Sequence, residues 1–264
     1  GDPQKTWFVT NVMSGSYDER QCEHIVARFE SEGWSVAHVV RFPEEDLPTR
    51  ETLEAENVGT LALFTGDGTI NSLLDQAGGW KGAVLVLPGG TMNLLCKTLH
   101  ESEDVDAIIA RAAKEAVVEP LPVVVGAGQV ALTGIVAGPT ACWGEVREAM
   151  RHADIGRLAA LVPGAWQRSM DDEHGVMLGD DSTLHAALFV TPVRDGLNVA
   201  AFTVDDLGEV AQHGLAWLSG DFRTGPHVDL GRHDRAELRS PEVEISMLVD
   251  GEQAEAPSPL RFER

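Results

Sequence analysis

Two short turns of one form, Gly68-Thr69-Ile70-Asn71 and Gly90-Thr91-Met92-Asn93, stand 22 residues apart, each between an apolar run and a stretch of helical period. A strand that passes through such a turn into a helix, twice in succession, describes a parallel sheet covered by helices. The flanking residues carry the same alternation. Trp7 to Thr10 reads as a first strand. From Asp18 to Glu32, Cys22, Ile25, Val26 and Phe29 recur at helical spacing, and Gly33 supplies a stop before a strand at Val36 to Val40. Thr60 to Phe64 then leads through the first turn into a helix at Ile70 to Ala77, and Ala83 to Leu87 leads through the second into Met92 to Leu99. A further helix at Val105 to Ala113 closes this unit.

After Pro120 the texture changes to short alternating segments split by Gly, Pro and Asp: Pro122 to Val125, Val130 to Val136, Leu184 to Val190 and Val243 to Val249. This is the pattern of a β-rich second domain. The expected organisation is therefore an α/β domain over 1–120 and a β-rich domain over 121–264. Between the early and late strands of the second, Trp143 to Met170 is helical in period and carries Arg147, Arg151, Arg157 and Arg168 beside Trp143, Leu158, Leu161 and Trp166. Such a segment suits contact with a lipid surface, and equally an amphipathic helix packed between domains.

Glycines allow close backbone approach and positive φ, and the N–H groups opening a helix attract anions. Two such turns on neighbouring strand ends could hold one polyphosphate from two sides. Asp67 within the first turn would repel a phosphate unless a divalent cation or a transferable proton intervened, which points to phosphoryl-transfer chemistry. An aspartate there also suits a helix N-cap, and Asn71 and Asn93 also suit local hydrogen bonding.

The motifs resemble a known family. Thr65-Gly66-Asp67-Gly68-Thr69-Ile70-Asn71 is similar to the GGDGTxNE signature, and Leu87-Pro88-Gly89-Gly90-Thr91-Met92-Asn93 to the PGGTxND signature, of bacterial diacylglycerol kinase and sphingosine kinase-like lipid kinases. Asn11-Val12-Met13-Ser14-Gly15 resembles the opening NPxSG, Val249-Asp250-Gly251-Glu252 the late DGE, and Asp195-Gly196-Leu197 the DGxL stretch. The resemblance implies an N-terminal α/β domain with a parallel sheet, a C-terminal β-sandwich and an active site in the cleft between them. It also implies Mg²⁺ and ATP as cofactors and a lipid alcohol as acceptor. Carried over by position, Asn11, Ser14, Gly15, Gly66, Gly68, Thr69, Asn71, Gly89, Gly90, Thr91, Asn93 and Glu252 would hold the nucleotide, with Asp67 beside the metal. Asp67 and Asp250 are the candidate catalytic carboxylates, Asp250 as a base toward the lipid hydroxyl. Asp-Gly is also a common hairpin turn.

Four positions depart from the family pattern: Ser16 where many relatives carry Lys, Thr65 for the first Gly of GGDG, Ser72 for its closing Glu, and Leu94 for the Asp of PGGTxND. A nucleotide- or lipid-binding relative with weak turnover is therefore one alternative reading; an NAD kinase-like enzyme is the other, because GGDG alone also occurs in NAD kinases. The formal charge of −22 opposes binding to nucleic acid and to anionic membranes, so membrane contact is expected to be local and transient. Cys22, Cys96 and Cys142 are odd in number and widely spaced, and the nine histidines form no HxxxH or Cys/His ligand pattern, which argues against a disulfide framework or a zinc site and suits the cytoplasm. The stretch around His227, Asp229, His233 and Asp234 reads as a solvated loop.

Overall fold

The structure is a computed structural model and describes residues 2–90, 93–115, 117–138, 175–185, 187–202, 228–250 and 252–264. Thr91, Gly251 and the basic segment from 143 to 170 lie outside the described residues. The chain divides into two compact units, Gly1–Pro120 and Leu121–Arg264.

The first unit runs β1 (Asp2–Asn11), α1 (Glu19–Ser31), β2 (Ser35–Phe42), α2 (Arg50–Ala55), β3 (Val58–Thr65), α3 (Asp67–Gln76), β4 (Ala83–Pro88), α4 (Leu94–His100) and α5 (Val105–Glu115). Its strands are all parallel, in the order β2-β1-β3-β4. α1 forms where the sequence places apolar residues one turn apart: Cys22, Ile25 and Phe29 are buried, Asp18 caps the start by accepting from Arg20 N at 2.8 Å, and Gly33 follows at φ 86°. β3 is buried at every position, as expected of a central strand covered on both faces. α2 and α3 pack on β3, whereas α5 packs on β4 and α1. Six-residue α2 has no counterpart in the sequence reading, because Arg50–Ala55 buries Leu53 alone and is too short for an apolar stripe.

The second unit is a sandwich of two antiparallel sheets. Its strands are β5 (Val124–Gly126), β6 (Gln129–Ala131), β7 (Ile135–Ala137), β8 (Met177–Leu178), β9 (Ala187–Val193), β10 (Gly196–Phe202), β11 (Val228–His233), β12 (Arg235–Arg239), β13 (Glu244–Val249), β14 (Glu252–Pro257) and β15 (Leu260–Glu263). One sheet has the order β11-β10-β9-β7-β13-β14 and the other β6-β5-β15-β12-β8. Alternate residues of both sheets fill one core: Leu188 and Val190, Leu197 and Val199, Ile245 and Met247 from the first, Ala236 and Leu238, Leu260 and Phe262 from the second. The expected single strand over 130–136 is two strands, broken at 132–134 by a contact described below. The stretch read as a solvated loop near His233 and Asp234 is the junction of β11 and β12.

Candidate active site

In the first unit the chain leaves β1 toward β2 on one side, while β3 and β4 lie on the other, so the strand order reverses between β1 and β3. Open parallel sheets bind ligands at the carboxyl ends of the strands beside such a reversal. Here those ends are Asn11, Thr65 and Pro88, the starts of the three motifs. Side chains tie the three loops together. Asn11 Nδ2 donates to Thr69 Oγ1 at 3.0 Å, and Asn11 Oδ1 accepts from Met13 N at 2.9 Å. Ser16 Oγ lies 2.9 Å and Ser14 Oγ 3.4 Å from the Gly89 carbonyl oxygen, to which both can donate. Ser16, noted in the sequence as the absence of a lysine, thus latches the β1 loop to the second turn.

The motif glycines have a reason different from the positive φ expected of them: Gly66, Gly68, Gly89 and Gly90 are not among the positive-φ residues. A Cβ on Gly89 would sit 2.2 Å from both the carbonyl carbon of Phe64 and the nitrogen of Thr65, and one on Gly90 would sit 2.6 Å from Gly66 Cα. The second turn therefore lies backbone to backbone on the first. Gly68 is the opposite case, since a Cβ there meets nothing within 4 Å among the described residues outside its own stretch of α3. Gly15 is exposed and likewise open.

Asp67 opens α3, yet its carboxylate serves a different helix. Oδ2 accepts from Leu94 N at 3.0 Å and Oδ1 from Leu95 N at 3.1 Å, at the start of α4. Asn93, left-handed at φ 52°, gives α4 no side-chain cap; its Oδ1 accepts from Gly90 N at 2.7 Å and its Nδ2 donates to Glu103. The start of α3, by contrast, has Gly66 at the cap position and no side-chain cap. One residue beyond the Thr10–Phe64 register pair, Thr65 shares a sheet face with Asn11, whose amide reaches α3. Thr65 is 1% exposed and its Oγ1 has no hydrogen-bond partner among the described residues. Asn71 is half-buried on α3, Ser72 Oγ donates to Gly68 O at 3.1 Å, and Leu94 is buried. Burial first, then the charges of Glu103 and Asp67, push the Cys96 thiol up to about 12, so this cysteine is a neutral packing group.

The second-unit motifs are found in turns. Asp250 stands between β13 and β14 at φ 48° and is 8% exposed. Its Oδ2 accepts from Leu132 N at 2.8 Å; its Oδ1 accepts from Thr133 N at 2.7 Å, Thr133 Oγ1 at 2.6 Å and Gly134 N at 3.1 Å. This cradle interrupts the expected strand at 132–134. Glu252 is exposed and begins β14, and Gly196 of the Asp195-Gly196-Leu197 stretch takes φ 135° at the β9–β10 hairpin.

Residues 5–123 match the family model of the diacylglycerol kinase catalytic domain. Among solved structures, a Bacillus anthracis (Sterne) protein provisionally assigned as a diacylglycerol kinase aligns with TM-score 0.65 and 16% identity, covering 100% of this chain and 94% of its own. A diacylglycerol kinase from the same strain aligns at 0.62 and 14%, with the same coverage. At this identity the structures establish the shared fold. No curated protein sequence matches the chain.

Proposed function

Taking the diacylglycerol kinase catalytic domain matched over residues 5–123 as the premise, we propose that the protein transfers the γ-phosphoryl group of ATP to the hydroxyl of a diacylglycerol-like or related lipid alcohol. One observation carries the nucleotide half of this reading: at the start of α3, a helix end without a side-chain cap, an open Gly68 and a buried Thr65 hydroxyl without a partner among the described residues come together. Backbone N–H groups beside a glycine without steric cover suit a phosphate, and a hydroxyl lacking a partner suits an acceptor oxygen. ATP would supply the transferable phosphoryl group. Asn11 and Thr69 would fix the first turn, and Ser14 and Ser16 would hold the second against it.

A metal held by protein carboxylates fits these residues poorly. Both Asp67 oxygens accept from backbone N–H groups, and among the described residues no group of three or more His, Cys, Asp or Glu is placed to hold a cation. Mg²⁺ carried on the nucleotide phosphates needs no such set. On the acceptor side Asp250 remains the proposed base, with Glu252 beside it in sequence. To take a hydroxyl proton, Asp250 must exchange one of its present donors for the acceptor. Engagement of both aspartates favours a second reading, a nucleotide- or lipid-binding relative with weak turnover. Among the described residues no helix is long and apolar enough to cross a membrane, and with the charge of −22 we take lipid contact to be transient.

Radiolabelled ATP incubated with a total lipid extract, with product identification, tests the proposal. Labelled lipid is expected. Saturable ATP binding without labelled lipid selects the binding relative, and label on added NAD selects an NAD kinase-like enzyme.

A further inference from the structure

We infer that Asp67 is a positioning residue that clamps the second glycine turn onto the first, and is not a ligand for a metal ion. Its carboxylate reaches from the first turn of α3 to Leu94 N and Leu95 N, at 3.0 and 3.1 Å. These N–H groups open α4, where helices lack internal acceptors. Asn93 precedes them but turns its own oxygen back to Gly90 N, so the cap is supplied by Asp67 from the neighbouring helix. Leu94 and Leu95 are 5% and 1% exposed, which leaves water poorly placed to replace the carboxylate. A cation would compete for oxygens already directed at two backbone donors.

The position of α4 is transmitted outward. Gly89 lies on the backbone of Phe64 and Thr65, Gly90 lies on Gly66, and the hydroxyls of Ser14 and Ser16 lie within reach of the Gly89 carbonyl. Fixing α4 therefore fixes the second turn, and the second turn walls the first and anchors the β1 loop. Asp67 thus shapes the cradle at the start of α3 while its carboxylate faces the other helix. That consequence for phosphate binding rests on the nucleotide reading above; the clamp itself does not.

The test uses the full chain with Asp67→Asn and Asp67→Ala. Without nucleotide and with chelator present, the melting temperature should fall in the order wild type, Asn, Ala, by about 2–8 °C for Ala, since the asparagine carbonyl can accept one of the two bonds. The ATP dissociation constant should rise in the same order, by about tenfold for Ala. The Mg²⁺ concentration giving half-maximal ATP binding should be the same in all three. Equal metal-free melting temperatures, or a Mg²⁺ midpoint displaced by about tenfold in Asp67→Asn, would overturn the inference. If Ala does not fold, Asn carries the comparison. A wild type that binds no ATP refutes the nucleotide reading, and the melting order still decides the clamp.

Discussion

Asp67 in the first unit and Asp250 in the second are both held by backbone N–H groups, and they differ in what lies beside them. Asp250 is 8% exposed and takes three backbone N–H groups and a threonine hydroxyl into one cradle, joining the turn after β13 to the corner between β6 and β7. Asp67 is half-buried, closes the start of α4 with two bonds, and leaves the start of α3 beside it without a side-chain cap. These four donors hold Asp250 in place, so any role as the proposed base requires one of them to leave. Asp67 closes one helix start and leaves beside it the start of α3, where the proposed phosphate site lies.

The largest expected effect separates the two aspartates by stability. Asp250→Ala would strand several buried donors at once and should cost about 3–5 kcal/mol, measured by chemical denaturation. Asp67→Ala removes a cap and should cost about 1–2 kcal/mol. Equal losses would erase the contrast. Next in size is Gly90→Ala, whose Cβ would meet Gly66 Cα at 2.6 Å. It should cost about 1–3 kcal/mol, as overpacking does, and an unchanged denaturation midpoint would mean that the two turns separate easily.

A smaller effect concerns pH. His100 Nε2 donates to Val86 O at 2.9 Å, which leaves Nδ1 to accept from Arg111 at 3.1 Å. Burial, followed by the Arg111 charge, holds its pKa below the usual histidine value. The folded state therefore prefers neutral His100: its contribution is complete above an unfolded value of about 6.5 and is lost as pH falls through the lower folded value. Melting temperature should drop between pH 7.5 and 5.5, and drop less in His100→Gln. An identical drop in both proteins would remove His100 from the account.

How much of this was legible in the sequence depends on how local each contact is. α1 could be read because Cys22, Ile25 and Phe29 repeat within one element, and the sandwich because its strands alternate. The break at 132–134 could not, because the acceptor responsible, Asp250, lies more than a hundred residues away. The glycine turns were recognisable by form, but their cause was not: what crowds Gly89 and Gly90 is the other turn's backbone. Asp67 stands out in the sequence as a charge in a phosphate-type turn, while its partners Leu94 and Leu95 offer backbone N–H groups that no side-chain motif encodes. Thr65 and Ser16 are legible as departures from the family pattern, and in the structure one is a buried hydroxyl without a partner among the described residues and the other a latch.

Gly68 tests most directly whether the phosphates of ATP lie against the start of α3, as proposed. Because a Cβ at Gly68 meets no atom of the described residues within 4 Å outside its own stretch of α3, Gly68→Ala should leave the fold intact. Stability should be unchanged or raised by up to about 1 kcal/mol, alanine being the better helix former. The methyl group would enter the phosphate cradle, so calorimetric titration should show ATP binding weakened by about tenfold. ATP binding as tight as in the wild type, in a variant of equal or greater stability, would contradict the account and place the nucleotide elsewhere.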